Sequence, residues 1–231
     1  MNIHGFTKTT LLDYPGLVAS TIFTGGCNFR CPFCHNADLV LNPEVFPKED
    51  ENAVIDFLKK RHGILEGVCV TGGEPTLQPD LADFIKRLKD IGYKVKLDTN
   101  GFNPRVLSSL IENNLLDYVA MDIKAGRTGY GHVVGLPGFN TDNICSSIDI
   151  LAGNRIPYEF RTTAVKGLHD EEDFEDISKW LPKDCSYYIQ SYKETTGIGD
   201  MYCDSFSKET LLHFLEIVKT NLPNSSLRGV D

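Results

Sequence analysis

The sequence has no run of apolar residues near the roughly 18 that a membrane-spanning helix needs. Its opening residues, MNIHGFTKTTLLDYPG, lack the basic segment, apolar stretch and small-residue cleavage site of a secretory signal. The cytoplasm is therefore the expected compartment. No block of Lys and Arg interrupts a formal charge of −9, from 23 basic and 32 acidic residues, which argues against nucleic acid as a partner. The acidic residues cluster on expected helices, as in Glu49-Asp50-Glu51, and read as solvated faces. No linker rich in Pro, Gly or Ser and no repeat breaks the 231 residues, so one domain spanning 1–231 is expected.

Cysteine is unevenly scarce. Cys69, Cys145, Cys185 and Cys203 stand singly and read as small buried hydrophobes rather than as a disulfide framework. Cys27, Cys31 and Cys34, by contrast, fall within the segment GGCNFRCPFCHN. Thiolates are soft ligands that suit zinc or an iron–sulfur cluster. A structural zinc site closes with four protein ligands, and the obvious fourth, His35, is adjacent to Cys34 and badly placed to share its tetrahedron. Three thiolates around a cubane cluster leave one iron free to chelate a small molecule.

Strand and helix patterns alternate along the chain. Apolar, β-branched runs predict strands at Val18–Phe23, Gly67–Thr71, Tyr93–Asp98, Tyr118–Ile123, Tyr158–Thr163 and Tyr187–Gln190. Between them, amphipathic spacing predicts helices at Glu49–Arg61, Pro79–Ile91, Pro104–Asn113, about Thr141–Gly153, Glu171–Leu181 and finally Lys208–Leu222. Such alternation implies βαβ units and an α/β fold with a parallel sheet. Ligands then bind at the carboxyl ends of the strands, where the unusual residues gather. The cysteine segment follows the first strand, Gly72-Gly73-Glu74-Pro75 the second, and Asp98-Thr99-Asn100-Gly101 the third. Asp122 and Lys124 end the fourth, Arg161 lies in the fifth, and Gln190 ends the sixth.

The CxxxCxxC spacing with Phe33 before the last cysteine resembles the signature of the radical S-adenosylmethionine superfamily. The resemblance implies a partial (β/α)6 TIM-like barrel, one [4Fe–4S] cluster on Cys27, Cys31 and Cys34, and S-adenosylmethionine bound to the open iron. It also implies cofactor contacts from Phe33, from Gly72, Gly73 and Glu74 of GGEP, from Asp98 and Asn100 of LDTNG, and from Lys124, Arg161 and His169. Other readings stand beside these. Phe33 reads equally as a loop anchor, Glu74 as a helix cap, Asn100-Gly101 as a plain turn, Asp122 and Lys124 as a simple ion pair, and His169 as a cap for the helix after Asp170.

The segments LLDYPG, FTGGCN and CHN are similar to activating proteins of glycyl radical enzymes, and above all to those of anaerobic ribonucleoside-triphosphate reductase. That family implies an oxidoreductase that generates a glycyl radical on the reductase and takes electrons from a flavodoxin- or ferredoxin-type donor. A pyruvate formate-lyase-type activating enzyme, or a radical enzyme acting on a small molecule, is the alternative. Gly25 stands where the family loop usually has Gln. Asn36–Asp50 holds no cysteine, which implies a single cluster. A six-stranded barrel should leave a lateral opening, bordered by Gly126–Gly138 and Gln190–Gly199, for a loop of the partner.

Overall fold

All six expected strands belong to one sheet, and the sequence pattern had concealed two more. In the computed structural model, which describes residues 1–153, 156–194, 198 and 203–230, the sheet has eight strands in the order β1 to β8. The expected six are β2 (Ala19–Thr24), β3 (Gly67–Gly72), β4 (Lys94–Thr99), β5 (Tyr118–Asp122), β6 (Tyr158–Ala164) and β7 (Ser186–Ser191). Each pairs in parallel with the next. The additions lie at the two edges: β1 (Ile3–Thr10) pairs antiparallel with β2, and β8 (Ser225–Arg228) pairs in parallel with β7. β1 and β8 do not pair with one another, so the sheet curls into a partial TIM-type barrel that stays unclosed. An edge strand exposes one face and one side, so it needs less apolar sequence. Polar IHGFTKTT and four-residue SSLR fit that position.

The short α1 (Ala37–Leu41) lies against the cysteine segment and, with it, the cavity. Helices α2 (Glu51–Arg61), α3 (Leu81–Ile91), α4 (Pro104–Glu112), α6 (Asp142–Ala152), α7 (Glu171–Trp180) and α8 (Lys208–Lys219) cover the outer face of the sheet, with the single turn α5 (Tyr130–Val133) packed on Phe29. In α3, Leu81, Phe84, Ile85 and Leu88 are all buried, the stripe that the i, i+3, i+4, i+7 spacing foretells. Gly92 ends it at φ +105°, a left-handed conformation open to glycine at no steric cost. Asp170 starts α7 with a capping box: its carboxylate accepts from the amides of Glu172 and Asp173, and Asp173 returns a bond to the Asp170 amide. No helix among the described residues is long and apolar enough to cross a membrane.

The interior of the barrel is polar. Thr71, Asp98, Asp122, Arg161 and Gln190 point inward near the carboxyl ends of successive strands and line one cavity of about 420 Å³. Strand alternation sends their neighbours Val70, Leu97, Met121, Phe160 and Ile189 into the buried layer beneath the helices.

Candidate active site

The loop after β2 reaches over this cavity with its three cysteines. Cys27, Cys31 and Cys34 all line it, and all seven cysteines of the chain are free thiols. Backbone contacts hold the loop in place: the amide of Glu74 donates to Gly26 O at 2.8 Å, that of Gly26 to Leu39 O at 2.8 Å, and that of Arg30 to Val134 O at 2.9 Å. Cys27 Sγ also faces donors. The Phe29 amide lies 3.3 Å from it and the Asn100 side-chain amide 3.8 Å, while the same Asn100 group donates to Asn28 Oδ1 at 2.9 Å. Burial pushes the Cys27 thiol up to about 11 and Cys31 to about 12, and raises Cys34 as well. The Lys124 ammonium works against that rise at all three.

Gly72 and Gly73 are required by the chain itself. A Cβ on Gly73 would lie 1.9 Å from Gly26 O, and one on Gly72, at φ +117°, would lie 2.2 Å from the Thr24 amide nitrogen. The strand-end glycines thus let the cysteine loop rest directly on β3. Gly25 has a similar explanation, since a Cβ there would meet the His4 ring at 2.5 Å and Pro43 at 2.8 Å. A glutamine would have to displace that packing.

Glu74 lines the cavity but faces protein donors. Its Oε1 accepts from the Thr76 amide and the Thr76 and Thr99 hydroxyls, and its Oε2 from the Asn100 amide at 2.7 Å. Burial raises its pKa and these donors pull it back. It caps the short turn Pro75–Leu77 and ties β3 to the end of β4. The capping reading describes this geometry.

Five charges alternate across β4 to β6. Lys96 pairs with Asp98; Arg161 reaches Asp98 Oδ2 at 3.1 Å and also pairs with Asp122; Lys124 Nζ lies 2.9 Å from Asp122 Oδ2. Burial alone would raise both carboxyls, yet Arg161, helped by Lys96 and Lys124, holds Asp98 and Asp122 below the usual carboxylate range. Lys96 went unremarked in the sequence. Its signal was a lysine two positions before Asp98 in an apolar strand, hence on the same inward face.

His169 does not line the cavity. It is buried behind Phe33, with ring centroids 6.2 Å apart, and both nitrogens meet backbone: Nδ1 accepts from the Val165 amide at 3.1 Å and Nε2 lies 2.7 Å from Lys124 O. Phe33 is itself buried, lines the cavity, and lies under Lys124 Nζ at 5.9 Å. The glycine-rich stretch after β5 is packed rather than open. Gly135 fits against Arg30 O, and Tyr130 stacks on Phe139 at 5.5 Å. It props the cysteine loop from below. Of Gln190–Gly199, residues 195–197 and 199 lie outside the described residues.

Among the described residues no three His, Cys, Asp or Glu side chains converge on one ion-sized point. The three thiols instead line one cavity, a soft donor set whose chemistry suits a thiolate-ligated cluster. Beside them, the open space supplies charge-balanced carboxylates and exposed loop backbone for a polar ligand.

The profile of the Radical SAM superfamily matches residues 21–181. A Methanocaldococcus jannaschii protein named as a glycyl-radical enzyme activating enzyme is 38% identical over 212 residues, covering 89% of this chain and 84% of its own. A Saccharolobus solfataricus protein named as a GTP 3′,8-cyclase is 34% identical over 131 residues, 55% of this chain and 42% of its own. Among solved structures, Streptococcus suis SuiB is similar in fold, with a TM-score of 0.66 at 16% identity over 89% of this chain and 47% of SuiB.

Proposed function

The chain belongs to the radical SAM superfamily, whose enzymes use a [4Fe–4S] cluster and S-adenosylmethionine, and on that premise we propose that it generates a glycyl radical on a partner enzyme. Its partner would be anaerobic ribonucleoside-triphosphate reductase, with a flavodoxin- or ferredoxin-type protein as electron donor and a cytoplasmic setting. The chain would act as one domain spanning 1–231. The observation that carries the reading is the convergence of Cys27, Cys31 and Cys34 on the same cavity as Gly72, Gly73, Asp98 and Asn100. The name of the Methanocaldococcus relative supports the partner class.

A cluster held by Cys27, Cys31 and Cys34 would supply the electron for reductive cleavage of S-adenosylmethionine, the family's source of a hydrogen-abstracting radical. Cys27, Cys31 and Cys34 would hold the cluster, with the Phe29 and Asn100 N–H groups turned toward Cys27 Sγ. Hydrogen bonds to cluster thiolates are one of a protein's means of tuning the potential. Exposed backbone at Gly72 and Gly73 would face the methionine end of the cofactor, and Phe33 its adenine. Asp98 would accept from its polar groups with Asn100 lining the pocket beside it, while Lys96, Lys124 and Arg161 keep Asp98 and Asp122 ionised. His169 would act indirectly, by fixing the Lys124 backbone beneath Phe33. Abstraction of a Cα hydrogen asks no acid or base of this chain.

The test mixes the reduced, reconstituted protein with S-adenosylmethionine and the anaerobic reductase, and looks for a glycyl radical doublet by electron paramagnetic resonance. A doublet on the reductase is expected. Cofactor cleavage with no doublet on it, or on a pyruvate formate-lyase-type partner, would overturn the activase reading. It would favour the small-molecule alternative that the GTP 3′,8-cyclase relative raises.

A further inference from the structure

The roles above draw on the β2–β5 side of the cavity and on Arg161, and they leave the opposite wall without a task. That wall is formed by Thr163 of β6, Gln190 and Ser191 of β7, Lys193 beyond it, and Arg228 and Gly229 at the end of β8. It contains two cations, hydroxyls and an amide, and no carboxylate. β8 is also the free edge of the sheet, and Arg228 is its last paired residue, in register with Gln190. Arg228 therefore lines the cavity from the free edge of the sheet.

Arg228 is braced. Its NH1 and NH2 groups donate to the two oxygens of Glu159 at 2.8 and 3.0 Å, and its guanidinium carbon lies 3.8 Å from the centroid of the Tyr188 ring. Glu159 is fully buried and also accepts from the Tyr118 hydroxyl at 3.0 Å. A two-pronged carboxylate bond together with an aromatic face fixes the plane of a guanidinium. Yet 36% of the Arg228 side chain remains exposed, and a guanidinium has five N–H groups, of which two serve Glu159. Arg228 satisfies the buried Glu159 carboxylate, and its partly exposed guanidinium still borders the cavity. Because Glu159 already neutralises the charge, the group suits a neutral acceptor such as a peptide carbonyl better than a phosphate.

Resting on the activase reading, we propose that Arg228 is a substrate-positioning residue whose guanidinium, braced by Glu159 and Tyr188, donates to main-chain carbonyls of the glycine-bearing loop entering between β8 and β1. The ligand class is a polypeptide turn. Its carbonyls find donors along this wall, and its glycine faces the cofactor side. Nothing in the chain's sequence marks the residue, because its partner Glu159 lies 69 positions away.

The test compares wild-type protein with Arg228→Lys, Arg228→Gln and the double variant Glu159→Gln/Arg228→Gln, which removes the buried carboxylate together with its partner. Radical formation is measured against reductase concentration, and cofactor affinity is measured separately. In both Gln variants the KM for the reductase should rise about tenfold or more, while the dissociation constant for S-adenosylmethionine moves less than about threefold. Lys should lie between them and wild type. An unchanged reductase KM in the double variant overturns the assignment, as does a loss of cofactor affinity equal to the rise in KM, which would place Arg228 in the cofactor pocket. The double variant answers the question even if Arg228→Gln alone fails to fold. Wild-type protein that cleaves cofactor yet leaves no radical on the reductase would remove the activase reading itself, and this assignment with it. A wild-type doublet with equal KM values would remove the assignment alone.

Discussion

Single residues separate chemistry from packing here. Replacing Cys27, Cys31 or Cys34 with Ala should abolish a reconstituted cluster of about four irons and four sulfides, the composition of a [4Fe–4S] centre. Cys69→Ala should keep it, because Cys69 is buried within β3 away from the loop, and so should Cys203→Ala. Iron and sulfide analysis checks both, and one zinc with no sulfide would contradict the assignment. Asp98 and Asp122 carry a second expectation. Their folded pKa values lie below the unfolded value of about 3.9, because cationic neighbours outweigh burial. The unfolded chain then binds protons more readily, so this stability is present above about pH 4 and is lost as pH falls through the folded values. Urea midpoints of the metal-free protein should drop steeply on acidification. Asp122→Asn should flatten that limb while lowering stability at pH 7, since Arg161 and Lys124 lose a shared partner. At this scale the cysteine trio was marked by its spacing, and the glycine pair and Asp98 by their place at strand ends and their resemblance to family motifs. Lys96 went unread although its spacing from Asp98 marked it, and the Glu159–Arg228 pair was not legible, because its partners lie 69 positions apart.

At the scale of elements, the cysteine loop and β3 form one unit through backbone contact at Gly73. Gly73→Val should therefore impair cluster assembly as well as cofactor binding, because its side chain would strike Gly26 O before any ligand arrives. Normal iron content with only a weakened cofactor affinity would show that the loop can lift off β3 at little cost. The capping box of α7 offers a milder perturbation. Asp170→Ala removes two amide partners from the helix start and should cost about 0.5–2 kcal/mol by denaturant unfolding. Cluster content should stay unchanged, since α7 packs against α8 on the outer face, its buried Phe174 stacking on Phe214 at 4.4 Å. Helices such as α3 were readable because a buried stripe repeats every three to four residues. α5 was not. It is a single turn inside a glycine-rich segment with no helical apolar spacing, and the aromatic contacts of Tyr130 with Phe29 and Phe139 order it.

Over the whole molecule, the decisive feature is a sheet that does not close. Central strands β3 to β6 have neighbours on both sides and helices behind them, whereas β1 and β8 have one neighbour each. Native-state hydrogen exchange should be slowest in β3–β6 and fastest at β1 and β8. Protection of β8 comparable to that of β4 would mean that the gap is covered in solution. The order of elements, the parallel sheet and the gathering of motifs at the strand ends followed from the sequence, because local periodicity sets strands and helices and right-handed crossovers leave one face for ligands. The number of strands did not follow, since edge strands bury too little to carry an apolar pattern. Nor did the roles within the cavity. Whether Glu74 meets a ligand or protein donors, whether His169 reaches the cavity, and which cation ends up beside the opening depend on contacts between residues tens of positions apart. Only the tertiary structure decides those contacts.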